Sequence, residues 1–183
     1  PLIRGLALIH TGNLLDPSDQ RGLSQVMADV LRSGGTKSKT GDQIDEELEN
    51  IAGSVESGMD ETSASVSFSG LKETTDQVLA VFKDVLTNPE FRQDKLDLTL
   101  TQYRSAIARR NDDAGDIPGR ELTRILYGKD TPYGWQPEYA DLARIHREDL
   151  VAFYQRYYFP KNIMLAVYGD FAASDMKDKL EKL

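Results

Sequence analysis

The sequence predicts an α+β domain: a largely antiparallel mixed sheet with helices packed mainly on one face. Three observations carry this. Residues 3–11, 54–59, 62–71 and 163–168 alternate or run apolar in the manner of strands. Between them lie stretches whose apolar residues recur three and four apart, the period of a helix with one buried face. The two kinds of stretch do not alternate one for one. Two strands adjoin around Asp60-Glu61 and helices follow one another in runs, which favours antiparallel pairing over a parallel βαβ sheet.

In the first strand, Ile3, Gly5, Ala7 and Ile9 alternate with Arg4, Leu6, Leu8 and His10. With most positions apolar, it is expected to be a central strand covered on both faces. Residues 12–20 form a loop that turns at Asp16-Pro17-Ser18. A helix follows with Leu23, Val26 or Met27, Val30 and Leu31 on one face, ending at a left-handed cap from Gly34-Gly35. Gln25 and Asp29 lie four apart on it, one side chain above the other. Thr40 caps the next helix, residues 41–52, with Gln43 at the capping-box position and Ile44, Leu48 and Ile51 inward; Gly53 ends it.

In the strand 62–71, Thr62, Ala64, Val66 and Phe68 alternate with Ser63, Ser65, Ser67 and Ser69, so one face packs. Thr74 or Thr75 opens a helix buried through Val78, Val81, Phe82, Val85 and Leu86, and Asn88-Pro89 closes it. Residues 93–111 read as a long helix carrying Leu96, Leu100, Tyr103 and Ile107, with Arg109-Arg110 pairing locally with Asp112-Asp113 at its end. Asp116-Ile117-Pro118 starts another, running to Tyr127-Gly128. Residues 129–141 form a loop rich in Pro, Gly and aromatics, in which Tyr133 and Trp135 either contact a partner or pack back on the domain. Residues 147–157 are helical to Pro160, 163–168 a strand, and Ser174 caps a last helix that reaches residue 183.

At 183 residues the chain fits one domain with a substantial core. A hydrophobic content of 39% and a mean hydropathy of −0.48 are those of a globular protein, and no apolar run is long enough to span a bilayer. The net charge of −8 argues against nucleic acid or an anionic membrane as partner. The chain has no cysteine, which excludes disulfides and thiol catalysis. It begins at Pro1, already close to strand, and reads as a piece of a longer polypeptide. The compartment stays open: bacterial periplasm if the parent chain carries a signal peptide, cytoplasm otherwise.

Landmarks run along the whole chain: Gly22-Leu23 and Gly35-Thr36 around the first helix, Thr40 to Gly53, Asn88-Pro89-x-Phe91, Thr131-Pro132-Tyr133-Gly134, Asp149-Leu150-x-x-Phe153-Tyr154, Tyr158-x-Pro160-x-Asn162, and Val167-Tyr168-Gly169-Asp170. In order and spacing they resemble the pitrilysin/insulinase family of zinc peptidases. The resemblance implies one quarter of a clam-shell peptidase, in which the full assembly holds a peptide as an added strand inside a closed chamber. In that family the first helix carries His-x-x-Glu-His, two zinc ligands and a water-activating glutamate, and a later helix supplies a third ligand. The matching positions here are Gln25, Ala28 and Asp29, then Ala106.

One lone carboxylate cannot make a zinc site, and an alanine cannot take a proton from water. No catalytic residue, metal ligand or cofactor is therefore expected. The bland reading of Gln25 and Asp29 is a polar helix face bonded to Arg104 or another basic side chain. The two histidines, His10 and His146, give no sign of converging on a metal. The resemblance implies a non-catalytic homologue that forms the chamber or binds peptide. Its partner would be a zinc-bearing homologous subunit or second domain, or further copies of itself. The alternatives are an active metalloendopeptidase whose zinc site comes from another domain or chain, and a purely structural subunit of a larger complex.

Overall fold

The computed structural model describes residues 1–181; the last two positions of the expected terminal helix, Lys182 and Leu183, lie outside the described residues. Four strands, β1 (Leu2–Ile9), β2 (Ser54–Met59), β3 (Ala64–Leu71) and β4 (Ile163–Gly169), form one sheet in the order β2-β3-β1-β4. Every neighbouring pair is antiparallel. Eight helices accompany it among the described residues: α1 (Leu23–Ser33), α2 (Gly41–Asn50), α3 (Thr75–Thr87), α4 (Gln93–Arg109), α5 (Asp116–Tyr127), α6 (Tyr139–Leu142), α7 (Arg147–Tyr157) and α8 (Ala173–Leu180). The α+β class and the antiparallel sheet are as the sequence predicts.

The expectation that β1 is covered on both faces does not hold. Ile3, Ala7 and Ile9 are buried under the helices, whereas Leu2, Leu6 and Leu8 are 51%, 39% and 40% exposed. Opposite them in register stand Leu71, Ser67 and Ser65 of β3, and Ala166 and Met164 of β4 beside Leu6 and Leu8. β1 is central in hydrogen bonding, but the helices cover only one face of the sheet. A near-continuous apolar run shows that a face can be buried, not that the chain supplies its cover.

On the covered face, Val26, Met27, Val30 and Leu31 of α1 are fully buried, and each such side chain removed from water contributes roughly 1.5–3 kcal/mol. α1 packs on β2, α4 and α7. α3 lies on β3 through Phe82, whose ring meets Phe68 at 4.9 Å between centroids. Gly5 makes room for this pair, because a Cβ there would fall 2.2 Å from the Phe68 ring.

Boundaries follow local hydrogen bonding. Gly34 is right-handed and Gly35 alone supplies the left-handed turn (φ +70°) after α1. The Thr40–Gln43 capping box forms as expected: Thr40 N–H donates to Gln43 Oε1 (2.8 Å) and Gln43 N–H to Thr40 Oγ1 (3.2 Å). α2 stops at Asn50, short of Ala52, because Gly53 N–H turns back to Leu48 C=O (2.9 Å) and Ala52 is left-handed. Thr62 and Ser63 belong to the hairpin turn, closed by Asp60 N–H on Ser63 C=O (2.8 Å).

The loop expected over 129–141 contains a turn of 3-10 helix (Pro132–Gly134) and ends in α6, where Glu138 N–H donates to Asp141 Oδ2 (2.9 Å). Ser174 lies inside α8, whose N-cap is Ala172. Arg110 does not pair with Asp112 or Asp113; it reaches Glu138 at 2.7 Å, while Asp113 accepts from Gly115 N–H. No helix among the described residues is long and apolar enough to cross a membrane.

Candidate functional site

The loop before α1 fixes the start of that helix. Asp16 is buried and accepts from two orphan donors of the first turn, Gly22 N–H (2.8 Å) and Ser24 N–H (2.9 Å). Burial pushes its carboxyl above the ordinary range, against the pull of those hydrogen bonds. Beside it, Asn13 N–H donates to Asp60 C=O (3.0 Å) and Leu14 N–H to Glu61 C=O (3.1 Å), tying the β2–β3 hairpin to this loop. Gly12 permits the approach: a Cβ there would lie 2.1 Å from Glu61 C=O.

From this corner the four sequence-selected positions separate. Gln25 is half-buried and lines a cleft of about 580 Å³ at the start of α1. Asp29, one turn on, is half-buried outside that cleft and accepts a 2.7 Å hydrogen bond from the Tyr103 hydroxyl of α4. Its partner is thus a phenol and not Arg104, which is exposed. Ala28 is fully buried, and its carbonyl accepts from Ser57 Oγ of β2 (2.6 Å). Ala106 lies one helical turn beyond Tyr103 on α4, exposed.

Tyr103 is the residue that sequence reasoning missed as a polar group, having taken it for part of an apolar stripe. The available signal was its chemistry, since a buried phenol seeks a hydrogen-bond partner. Burial first, and then the Asp29 carboxylate, hold the Tyr103 hydroxyl far above the ordinary tyrosine range, so it remains a donor. Tyr103→Phe is expected to leave Asp29 without this donor and to cost about 1 kcal/mol, or about 2–4 °C of melting temperature, measured by thermal denaturation near pH 7.

Asn13 and Arg21 from the loop before α1, Glu61 from the β2–β3 hairpin, and Thr123, Tyr127, Tyr133 and Trp135 from much further along the chain complete the lining. The Arg21 guanidinium lies over the Trp135 ring, 5.2 Å from its centroid, and the Tyr127 and Tyr133 rings are 5.4 Å apart. Trp135 therefore packs back on its own domain, while Tyr133 stays 53% exposed.

An inverted zinc motif would need three converging donors. An amide at Gln25 and one carboxylate already accepting from a phenol do not fit that ion. The histidines stand elsewhere and exposed, His10 just past β1 and His146 before α7, where His146 N–H donates to Asp149 Oδ2 (2.8 Å). Among the described residues no group of three His, Cys, Asp or Glu could hold a metal.

Residues 6–131 match the family model described as Insulinase (Peptidase family M16), and residues 144–183 match that of the Peptidase M16 inactive domain. An uncharacterized zinc protease of Rickettsia felis is 23% identical over 178 residues, covering 96% of this chain and 43% of that protein. The crystal structure of a peptidase M16 inactive domain from Pseudomonas fluorescens superposes with a TM-score of 0.89 at 22% identity, over 97% of this chain and 43% of that one. The periplasmic protease PqqL of Escherichia coli gives a TM-score of 0.84 at 22% identity, over 100% of this chain and 21% of that one. The chain spans less than half the length of these relatives.

Proposed function

The chain belongs to the insulinase family of peptidases, and from that premise we propose that it is a non-catalytic peptidase domain that binds peptide in the cleft at the start of α1. It acts as one wall of a chamber completed by a zinc-bearing homologous domain or subunit. The observation that carries this reading is the state of the α1 face. Gln25, Ala28 and Ala106 stand where the family resemblance puts two zinc ligands and the water-activating base, and Asp29, at the remaining ligand position, is engaged by Tyr103. The frame of helix, caps and sheet is kept while groups able to bind zinc or accept a proton do not converge.

Two uncovered surfaces support a neighbouring domain. One is the open face of the sheet, with Leu2, Leu6 and Leu8 joined by Leu71, Met164 and Tyr168. The other is α5, which has no buried residue and leaves Leu122, Ile125 and Leu126 56%, 77% and 67% exposed. Apolar area of this extent is normally covered by another protein surface, and the longer relatives have room for it.

Metal analysis of the purified chain after a metal-free wash is the test. Far less than one zinc per chain is expected, with no chelator-sensitive peptide cleavage. Stoichiometric, tightly held zinc would overturn the reading in favour of an active metalloendopeptidase. Co-purification with a chain bearing His-x-x-Glu-His would favour a peptide-binding partner over a purely structural subunit.

A further inference from the structure

We infer that the cleft at the start of α1 takes a cationic side chain, lysine or arginine, of an extended peptide, held between its aromatic wall and the Glu61 carboxylate; this rests on the peptide-binding reading above. The wall is built for a cation. Four aromatic residues line the cleft, Tyr103, Tyr127, Tyr133 and Trp135, and the face of an aromatic ring attracts a cation. One of them already carries a guanidinium, the chain's own Arg21 at 5.2 Å from the Trp135 centroid. The Tyr127–Tyr133 pair, 5.4 Å between centroids and inclined at 30°, offers further aromatic surface to an incoming cation.

The charges on the rim point the same way. Two carboxylates, Asp16 and Glu61, face one guanidinium among the lining residues. Asp16 has both oxygens engaged by the Gly22 and Ser24 amides, so it contributes a field more than a contact. It also answers the objection that a helix start attracts anions, because the chain's own carboxylate already occupies that place. The Glu61 side chain is exposed and makes no hydrogen bond or ion pair among the described residues. Its backbone is pinned by Leu14 N–H, so the carboxylate is carried on a fixed support at the mouth of the cleft. Asn13 and Gln25 add amide oxygens that can accept from an ammonium or guanidinium.

Trp135 is the single tryptophan of the chain, so its emission reports occupancy of the cleft directly. The experiment titrates the intact chain with short acetylated, amidated peptides of alanine and serine carrying one central lysine, arginine, leucine or glutamate. Lysine and arginine peptides are expected to bind roughly tenfold more tightly than the leucine peptide, and the glutamate peptide more weakly still. Glu61→Gln, an exposed change expected to leave the thermal melt unaltered, should shrink the cationic preference to about twofold. Equal binding of leucine and lysine peptides, or an undiminished preference in Glu61→Gln, would overturn the cationic class while peptide binding stands. If none of the peptides alters Trp135 emission, both this inference and the peptide-binding reading fall.

Discussion

Arg92→Ala is expected to lower the stability of the domain by ~3 kcal/mol, seen as a fall of about 6–12 °C in melting temperature. The guanidinium gathers three carbonyls of the segment that follows α1. One nitrogen donates to Gly34 C=O and to Lys39 C=O (3.2 Å), the other to Thr36 C=O (2.9 Å). These groups sit in a turn that leaves α1 through left-handed Gly35, where a Cβ would meet Lys39 C=O at 2.5 Å, so the turn has little freedom to find other donors. Thr36 and Glu90 complete the same clamp, Glu90 N–H donating to Gly35 C=O (3.1 Å) and Thr36 N–H to Lys39 C=O (2.8 Å). Alanine at 92 strips charged donors from part-buried acceptors and frees the end of α1 from the approach to α4. Arg92→Lys keeps the charge but not the fork, and should recover less than half of the loss. A melt within about 2 °C of the parent for Arg92→Ala would mean that water serves the three carbonyls equally well.

What could be read in the sequence and what could not divides by distance along the chain. The α1 face, the Thr40–Gln43 box, the serine alternation of β3 and the Asn88-Pro89 stop are settled by residues a few places apart, and they stand as expected. α6 depends on an equally local pair, Glu138 and Asp141, but it is one turn long and hidden in a stretch whose Pro and Gly content reads as loop. The outward leucines of β1 misled for another reason. Periodicity registers that Leu6 and Leu8 are apolar, whereas their cover depends on which elements lie across the sheet. At the site, Gln25 and Asp29 were visible as an i, i+4 pair, yet the partner of Asp29 is 74 positions away. The cleft joins residues 13–25 to Glu61, Tyr103 and residues 123–137, a convergence that only the tertiary fold creates.

Ala28→Glu is expected to be the most damaging single change on the α1 face, costing about 4 kcal/mol, or roughly 8–16 °C in melting temperature. This position corresponds by resemblance to the water-activating glutamate of the active family. Here its side chain is fully buried, and its carbonyl is pinned by the Ser57 hydroxyl of β2 at 2.6 Å. A carboxylate inserted there must force its neighbours apart and lose water together. The nearest cation along the helix, Arg32 one turn on, is already held by Val55 C=O (2.8 Å) and Asp45 (2.5 Å), and the neighbouring Asp29 adds like charge. The pH dependence separates the two components. An unpaired buried carboxyl has a folded-state pKa above its unfolded value of about 4.3, so the folded variant holds its proton more tightly than the unfolded chain. The deficit relative to the parent is therefore smallest near or below about pH 4 and grows as pH rises through the raised folded value. Melting curves of parent and variant between pH 4 and pH 8 measure both parts. A variant as stable as the parent at pH 7 would mean that the α1 face opens in solution far enough to admit a solvated carboxylate at this position.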